Sequence, residues 1–318
     1  MRNTAIVAAL WVGLAAEGLT PAGTISLGSV QGRIDHLAVD VQGRRLFVAA
    51  LGNNTVEAID LARGEVTAHI TGLHHPQGLA FLPQTKRLVV ANADDPVVRF
   101  YDTTSLKPVA QVTLGDDCDN VRVDPSGSRV YVGYGDGAIA ALDATDGHKL
   151  WEVAVGGHPE SFQLEGNGQR LFVNVPAPQE VVAIDRSAQK IVARWKIGAA
   201  ANYPMALDEQ HGRVFIGCRR PARLISLNTS TGASVAEIET VGDTDDLFYD
   251  AAANRVYVIG GAGAVQIVDV SAAPRSIARL ETRTGARTGL FVPDLKRLFV
   301  AAPARDGHGA ELWQFVSS

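Results

Sequence analysis

Short apolar runs recur along this chain at a nearly constant spacing. Seven times an arginine is followed by three apolar residues rich in β-branched and aromatic types. They are Arg45 (Leu-Phe-Val), Arg87 (Leu-Val-Val), Arg129 (Val-Tyr-Val), Arg170 (Leu-Phe-Val), Arg213 (Val-Phe-Ile), Arg255 (Val-Tyr-Val) and Arg297 (Leu-Phe-Val). The intervals between these anchors are 42, 42, 41, 43, 42 and 42 residues. Each unit resolves into four short strands. An inner strand precedes the anchor, as at residues 36–40 and 120–124, and a turn follows it, carrying Gly43, Gly127, Gly168, Gly212 or Asn254. The anchor opens the second strand. A third strand ends in an acid or amide at Asp60, Asp102, Asp143, Asp185, Asn228 and Asp269, and a fourth follows, as at residues 65–70 and 150–155.

A fixed period with four strands per unit predicts an all-β protein, a seven-bladed β-propeller of four-stranded antiparallel blades. The seventh unit stops at residues 311–316, which form only its third strand. Residues 24–28 (TISLG) are expected to supply the missing fourth, so that the N-terminal strand pairs with the last blade and closes the ring. The stretch from Asp124 to Val132 (DPSGSRVYV) resembles the YVTN-type repeat of bacterial exported proteins, including YncE-like proteins. The resemblance spans residues 24–318 and implies the blade structure, not an activity, because function sits in grafted sites.

The N-terminus changes the picture of where the chain works. Arg2, the apolar run at residues 5–16 and the small residues Thr20-Pro21-Ala22 read as a signal peptide over residues 1–22, with a single propeller domain over 23–318. Twelve apolar residues are too few to cross a bilayer, which takes about 20. A periplasmic or secreted protein is expected, with no transmembrane segment in the mature chain. Cys118 and Cys218 fall in non-adjoining blades and are expected as separate, partly buried thiols. The net charge of -5 gives no basic field for nucleic acid. A closed ring also points to a monomer.

Repetition separates framework from candidate site. The anchor arginines and the third-strand acids that follow 14 or 15 residues later recur in the first six units. A cross-strand Arg–Asp pair, or an Asp capping the next turn, explains them structurally. The position ten residues before each anchor is different. Around the ring it reads Asp35, Gln77, Asp119, Glu160, Tyr203, Asp245 and Arg287, all polar yet not repeated. Beside it stand His36, His75, Asp117, Asn120, His158, Asp243 and Asp246. Inner strands line the channel, so these residues should surround one mouth of it.

Carboxylates with an imidazole could hold Ca²⁺, Mn²⁺ or Zn²⁺, with Asp119, Glu160, His158 and Asp245 as candidate ligands. Crowded carboxylates could equally furnish a general acid or base. The other histidines, His69, His148, His211 and His308, are expected at the surface. The segment from Ala141 to Gly147, followed by Trp151, is similar to the tryptophan docking motif of PQQ-dependent dehydrogenases. It occurs once and no vicinal cysteines accompany it, so PQQ is not expected. The leading expectation is an exported binding or scaffold protein holding a small ligand, peptide or protein partner at the acidic channel mouth. The alternative is a lactonase-like hydrolase using a divalent ion held by ring carboxylates.

Overall fold

The computed structural model describes residues 17–318, so the apolar run at residues 5–16 lies outside the described residues. Seven four-stranded antiparallel sheets form the blades: residues 37–70, 76–113, 121–154, 162–196, 200–239, 244–281, and 289–317 with the N-terminal strand. Each inner strand neighbours the inner strands of both adjoining blades, which closes the ring. The third strands end on the expected residues, from Thr55–Asp60 through Ala264–Asp269.

Seven apolar clusters hold the ring together, one between each pair of adjacent blades. In the anchor strand Arg45–Ala50, Leu46 and Val48 pack toward blade seven, while Phe47 and Ala49 pack toward blade two. That is why the second strand reads as an apolar run and not as an alternation, since both of its faces are buried. The fourth strands alternate instead, as in Lys190–Lys196, because one face meets solvent.

The closing strand is longer than the sequence reading placed it. It runs Leu19–Ser26, pairing Leu19 with Ser317 and Ser26 with Glu311, and Leu19 is fully buried. It therefore begins inside the segment expected to be removed as a signal peptide.

Every fourth strand carries a bulge against the third. The skipped residues are Thr67, Val109, Leu150, Val192, Val235, Ile277 and Ala22. A bulge twists an edge strand and interrupts the row of groups that could pair with another chain.

The anchor arginines are framework, by a route the sequence reading did not foresee. Arg45 pairs with Asp60 in register, yet its guanidinium reaches Asp40 at 3.0 Å and the Thr103 carbonyl of the next blade. Arg87, Arg170, Arg213 and Arg255 likewise donate to Thr145, Thr229, Val270 and Ser318 of their following blades. Each is a clip between blades. The third-strand acids do cap the next turn: Asp60 Oδ1 accepts the Ala62 and Arg63 N–H groups at 2.7 and 3.1 Å. Cys118 and Cys218 are both free and fully buried, and burial pushes each thiol up to about 12.

Candidate functional site

The ring residues sit where the inner strands lose their regular ladder. In blade one the Asp35 N–H donates to the Ala49 carbonyl at 2.8 Å, and the Ala49 N–H returns to His36 at 3.0 Å. Blade three repeats this with Asp119, Asn120 and Gly133, each bond 3.0 Å. In blades two, five and six the register is irregular at the ring itself, between Pro76 and Leu79, Asn202 and Met205, and Thr244 and Asp246. Gln77, Tyr203 and Asp245 stand inside those irregularities, which re-aim a side chain toward a site. Two residues earlier, His75, Asp117, Ala201 and Asp243 adopt left-handed backbone with φ between 49° and 58°. The same conformation recurs in blade turns, as at Arg44, Lys86 and Asn254.

His36 is the centre of the cluster. Its Nε2 lies 3.6 Å from Asp35 Oδ1 and 3.6 Å from Asp119 Oδ1, and its Nδ1 lies 3.6 Å from Asp246 Oδ1. Asp246 is itself fixed, because its Oδ2 accepts the buried Gly289 N–H of blade seven at 2.9 Å. Gly78 occupies the His36 position in blade two. A Cβ there would come within 1.7 Å of the Asp119 carbonyl oxygen, so only glycine lets blades two and three approach this closely at the mouth.

Three arginines that the sequence reading missed stand among the carboxylates. Arg33 Nη2 is 2.9 Å from Asp35 Oδ2 and 3.7 Å from Asp245 Oδ2. Arg219 pairs with Asp245, donates to the Thr244 carbonyl at 2.8 Å, and lies 4.2 Å over the Tyr203 ring. Arg122 donates to Ser161 Oγ at 3.3 Å and stacks at 5.6 Å on Phe162, and burial lowers its pKa. Arg287 pairs with Asp243 at 2.9 Å. The mouth is thus a mixed network with four arginines, not a plainly acidic ring. A signal for them existed in the repeat: position 122 is Arg where blades one, two and five have Ala38, Ala80 and Ala206. The Arg219-Arg220 pair likewise ends an anchor strand two residues longer than that of blade one.

Burial and charge set the protonation of the cluster. Burial, with Asp119 and Asp245 nearby, raises Asp35 to about 6 against the pull of His36 and Arg33. Burial and the same two carboxylates raise Glu160 to about 9. Burial also raises Asp245, although Arg219 and Arg33 oppose it. Burial pushes Asp119 upward too, but His36 outweighs it and leaves the carboxyl below its usual range. Burial would lower His36, yet Asp246, Asp119 and Asp35 carry its imidazole well above the ordinary value.

Not all of the expected residues meet. His158 stays at the rim, where its Nδ1–H donates to the Gly135 carbonyl at 2.9 Å with Asp117 3.4 Å away. His75 pairs with Asp94 at 2.6 Å and is half exposed. Gln77 is half-buried in blade two. Among the described residues, the mouth group whose donor atoms all lie within 4.8 Å of one another is Asp35, His36 and Asp119. Of the four metal candidates read from sequence, that group contains Asp119 alone. The surface histidines fall as expected, with His69, His148 and His211 about half exposed beside Glu57, Asp146 and Asp208.

Fold and site together define a closed seven-bladed propeller with a charged central mouth. Residues 52–315 match the family described as outer membrane protein assembly factor BamB, and the chain belongs to that family. Among solved structures it is similar to Kuenenia stuttgartiensis hydrazine synthase, with TM-score 0.75 and 17% identity. That match covers 89% of this chain and 95% of the other, and the likeness is one of fold. No curated protein matches the chain.

Proposed function

We propose that this chain is an exported, YVTN-type binding propeller that holds a small polar ligand at the mouth of its central channel. One observation carries the reading. Three buried oxygens at the mouth, Asp119 Oδ1, Asn120 Oδ1 and Asp245 Oδ2, make no hydrogen bond. Buried polar atoms in native proteins nearly always have partners, and each one left without costs about 1–3 kcal/mol. All three are acceptors. A ligand that fits them brings N–H donors, O–H donors or positive charge. A thermal-shift panel of amines, polyols and amino acids on the full chain tests this. The stabilising compound should lose its effect on Asp119→Ala, and a panel without any hit, or a hit indifferent to Asp119, sinks the reading.

A hydrolytic role has one feature in its favour. Glu160, raised to about 9, is protonated at neutral pH and so could act as a general acid. Turnover of lactone or ester substrates that disappears in Glu160→Gln would support it.

Export belongs to the same proposal, with processing upstream of Leu19 so that the closing strand is kept. N-terminal sequencing of protein recovered from the periplasm should begin before Leu19. A start at Gly23 would refute that boundary.

A further inference from the structure

We propose that the mouth holds one divalent first-row transition ion, bound by Asp35 Oδ1, His36 Nε2 and Asp119 Oδ1, with Asp246 orienting the imidazole from behind. The inference rests on the mouth being a binding site and names what occupies it.

The spacing carries the argument. A protonated imidazole gripped by carboxylates closes to about 2.7–2.9 Å in charge-assisted hydrogen bonds. His36 has three carboxylate oxygens around it, and all three stand off at 3.6 Å. At that distance none is a close, charge-assisted contact. Donor atoms that share an ion at bonds of about 2.0–2.2 Å are held apart from one another, at roughly 3.3–3.6 Å for tetrahedral geometry. The His36 to Asp35 and His36 to Asp119 spacings fit that separation.

The surroundings are also those of a metal site. A ligating histidine commonly presents its second nitrogen to a carboxylate that fixes the ring. Asp246 is on the Nδ1 side, and the Gly289 N–H anchors its other oxygen at 2.9 Å. Arg33 lies against Asp35 Oδ2 and leaves Oδ1 facing the imidazole. Asp119, only 6% exposed, has its Oδ1 without a hydrogen bond, and the adjacent Asn120, 2% exposed, has an unpartnered Oδ1 as a further oxygen donor. Asn120 occupies the same repeat position as His36 and Asp246. One imidazole with two carboxylates suits Zn²⁺ or Mn²⁺, whereas Ca²⁺ takes an all-oxygen shell.

The test is metal content and affinity of the full chain. EDTA-stripped protein, dialysed against micromolar ZnCl2 or MnCl2 and then buffer, should retain one ion per chain, with Zn²⁺ held more tightly than Mn²⁺ and CaCl2 not retained. His36→Ala and Asp119→Asn should abolish retention. Asp246→Asn, acting only through the ring, should weaken it about 10–100-fold. Circular dichroism confirms that each variant is folded, and the wild-type stoichiometry decides independently of the variants. No retained ion, or retention unchanged in His36→Ala, overturns the proposal. Should the wild type bind no ion yet still show ligand stabilisation that Asp119→Ala removes, the cation assignment fails and the binding reading stands. Loss of both would end both.

Discussion

Glu160 shows how one residue at the mouth couples to pH. Its carboxyl is raised to about 9 by burial and by Asp119 and Asp245, against an ordinary value of 4.5. The folded protein therefore holds this proton more tightly than the unfolded chain does. The stability it contributes is full below the unfolded value and is lost as pH rises toward 9. Glu160→Gln keeps the protonated shape and removes the titration. Metal-free Glu160→Gln should gain melting temperature over wild type more at pH 8 than at pH 5. An equal difference at both pH values would show that Glu160 ionises freely in the fold. Gly78 is the second decisive residue. Because an added Cβ meets backbone, the Asp119 carbonyl, the blades must part to admit it. Gly78→Ala is expected to cost about 1–3 kcal/mol in denaturant unfolding, and an unchanged midpoint would contradict that close approach.

At the scale of the element, each strand has its own chemistry according to its place in the blade. Second strands are buried on both faces and read as apolar runs. Fourth strands alternate and are bulged, so that even the exposed Val109, Leu150, Val192 and Val235 stand singly on interrupted edges. Between elements, five of the seven anchor arginines tie one blade to the next. Arg213 binds the buried Asp208 at 2.7 Å and the Val270 carbonyl at 2.9 Å. Arg213→Ala leaves the buried Asp208 without its cation, beside His211 and Tyr249, and loss of one partner from such a pair costs about 3–5 kcal/mol. Equilibrium unfolding should show a loss of that order. A loss below about 0.5 kcal/mol, the range of an ordinary surface substitution, would mean the clip is ornamental.

For the whole molecule, stability depends on closing the ring. The seven apolar clusters are equivalent in kind, but only the two that flank blade seven are completed by residues of the closing strand and the segment after it, among them Ile25 and Leu27 between blades seven and one. The strand Leu19–Ser26 also packs Leu19 into the cluster between blades six and seven. Removing residues 17–22 deletes Leu19 and its ladder with Phe315, Val316 and Ser317. The shortened chain should melt several degrees lower, since each kcal/mol is about 2–4 °C in a protein of this size class. A melting temperature equal to wild type would show that closure needs only residues 23–26.

The period of the anchors by itself determines the fold of this chain. Blade number, strand order and closure by the N-terminal strand all follow from apolar runs that can be buried only against a neighbouring copy of themselves. The same alignment exposed the ring of non-repeated polar residues, because a framework repeats and this ring does not. Arg33, Arg122 and Arg219 were legible only as departures from the repeat, and nothing local says which way they point. Distances across the channel were not legible at all. His36 of blade one meets Asp119 of blade three and Asp246 of blade six through the curvature of the ring and the missing side chain at Gly78. Residues 83 and 210 positions apart in the chain carry no mutual signal in a single sequence. Tertiary structure alone decided that partnership, because closing seven blades around one axis makes neighbours of strand starts that local propensity treats as unrelated.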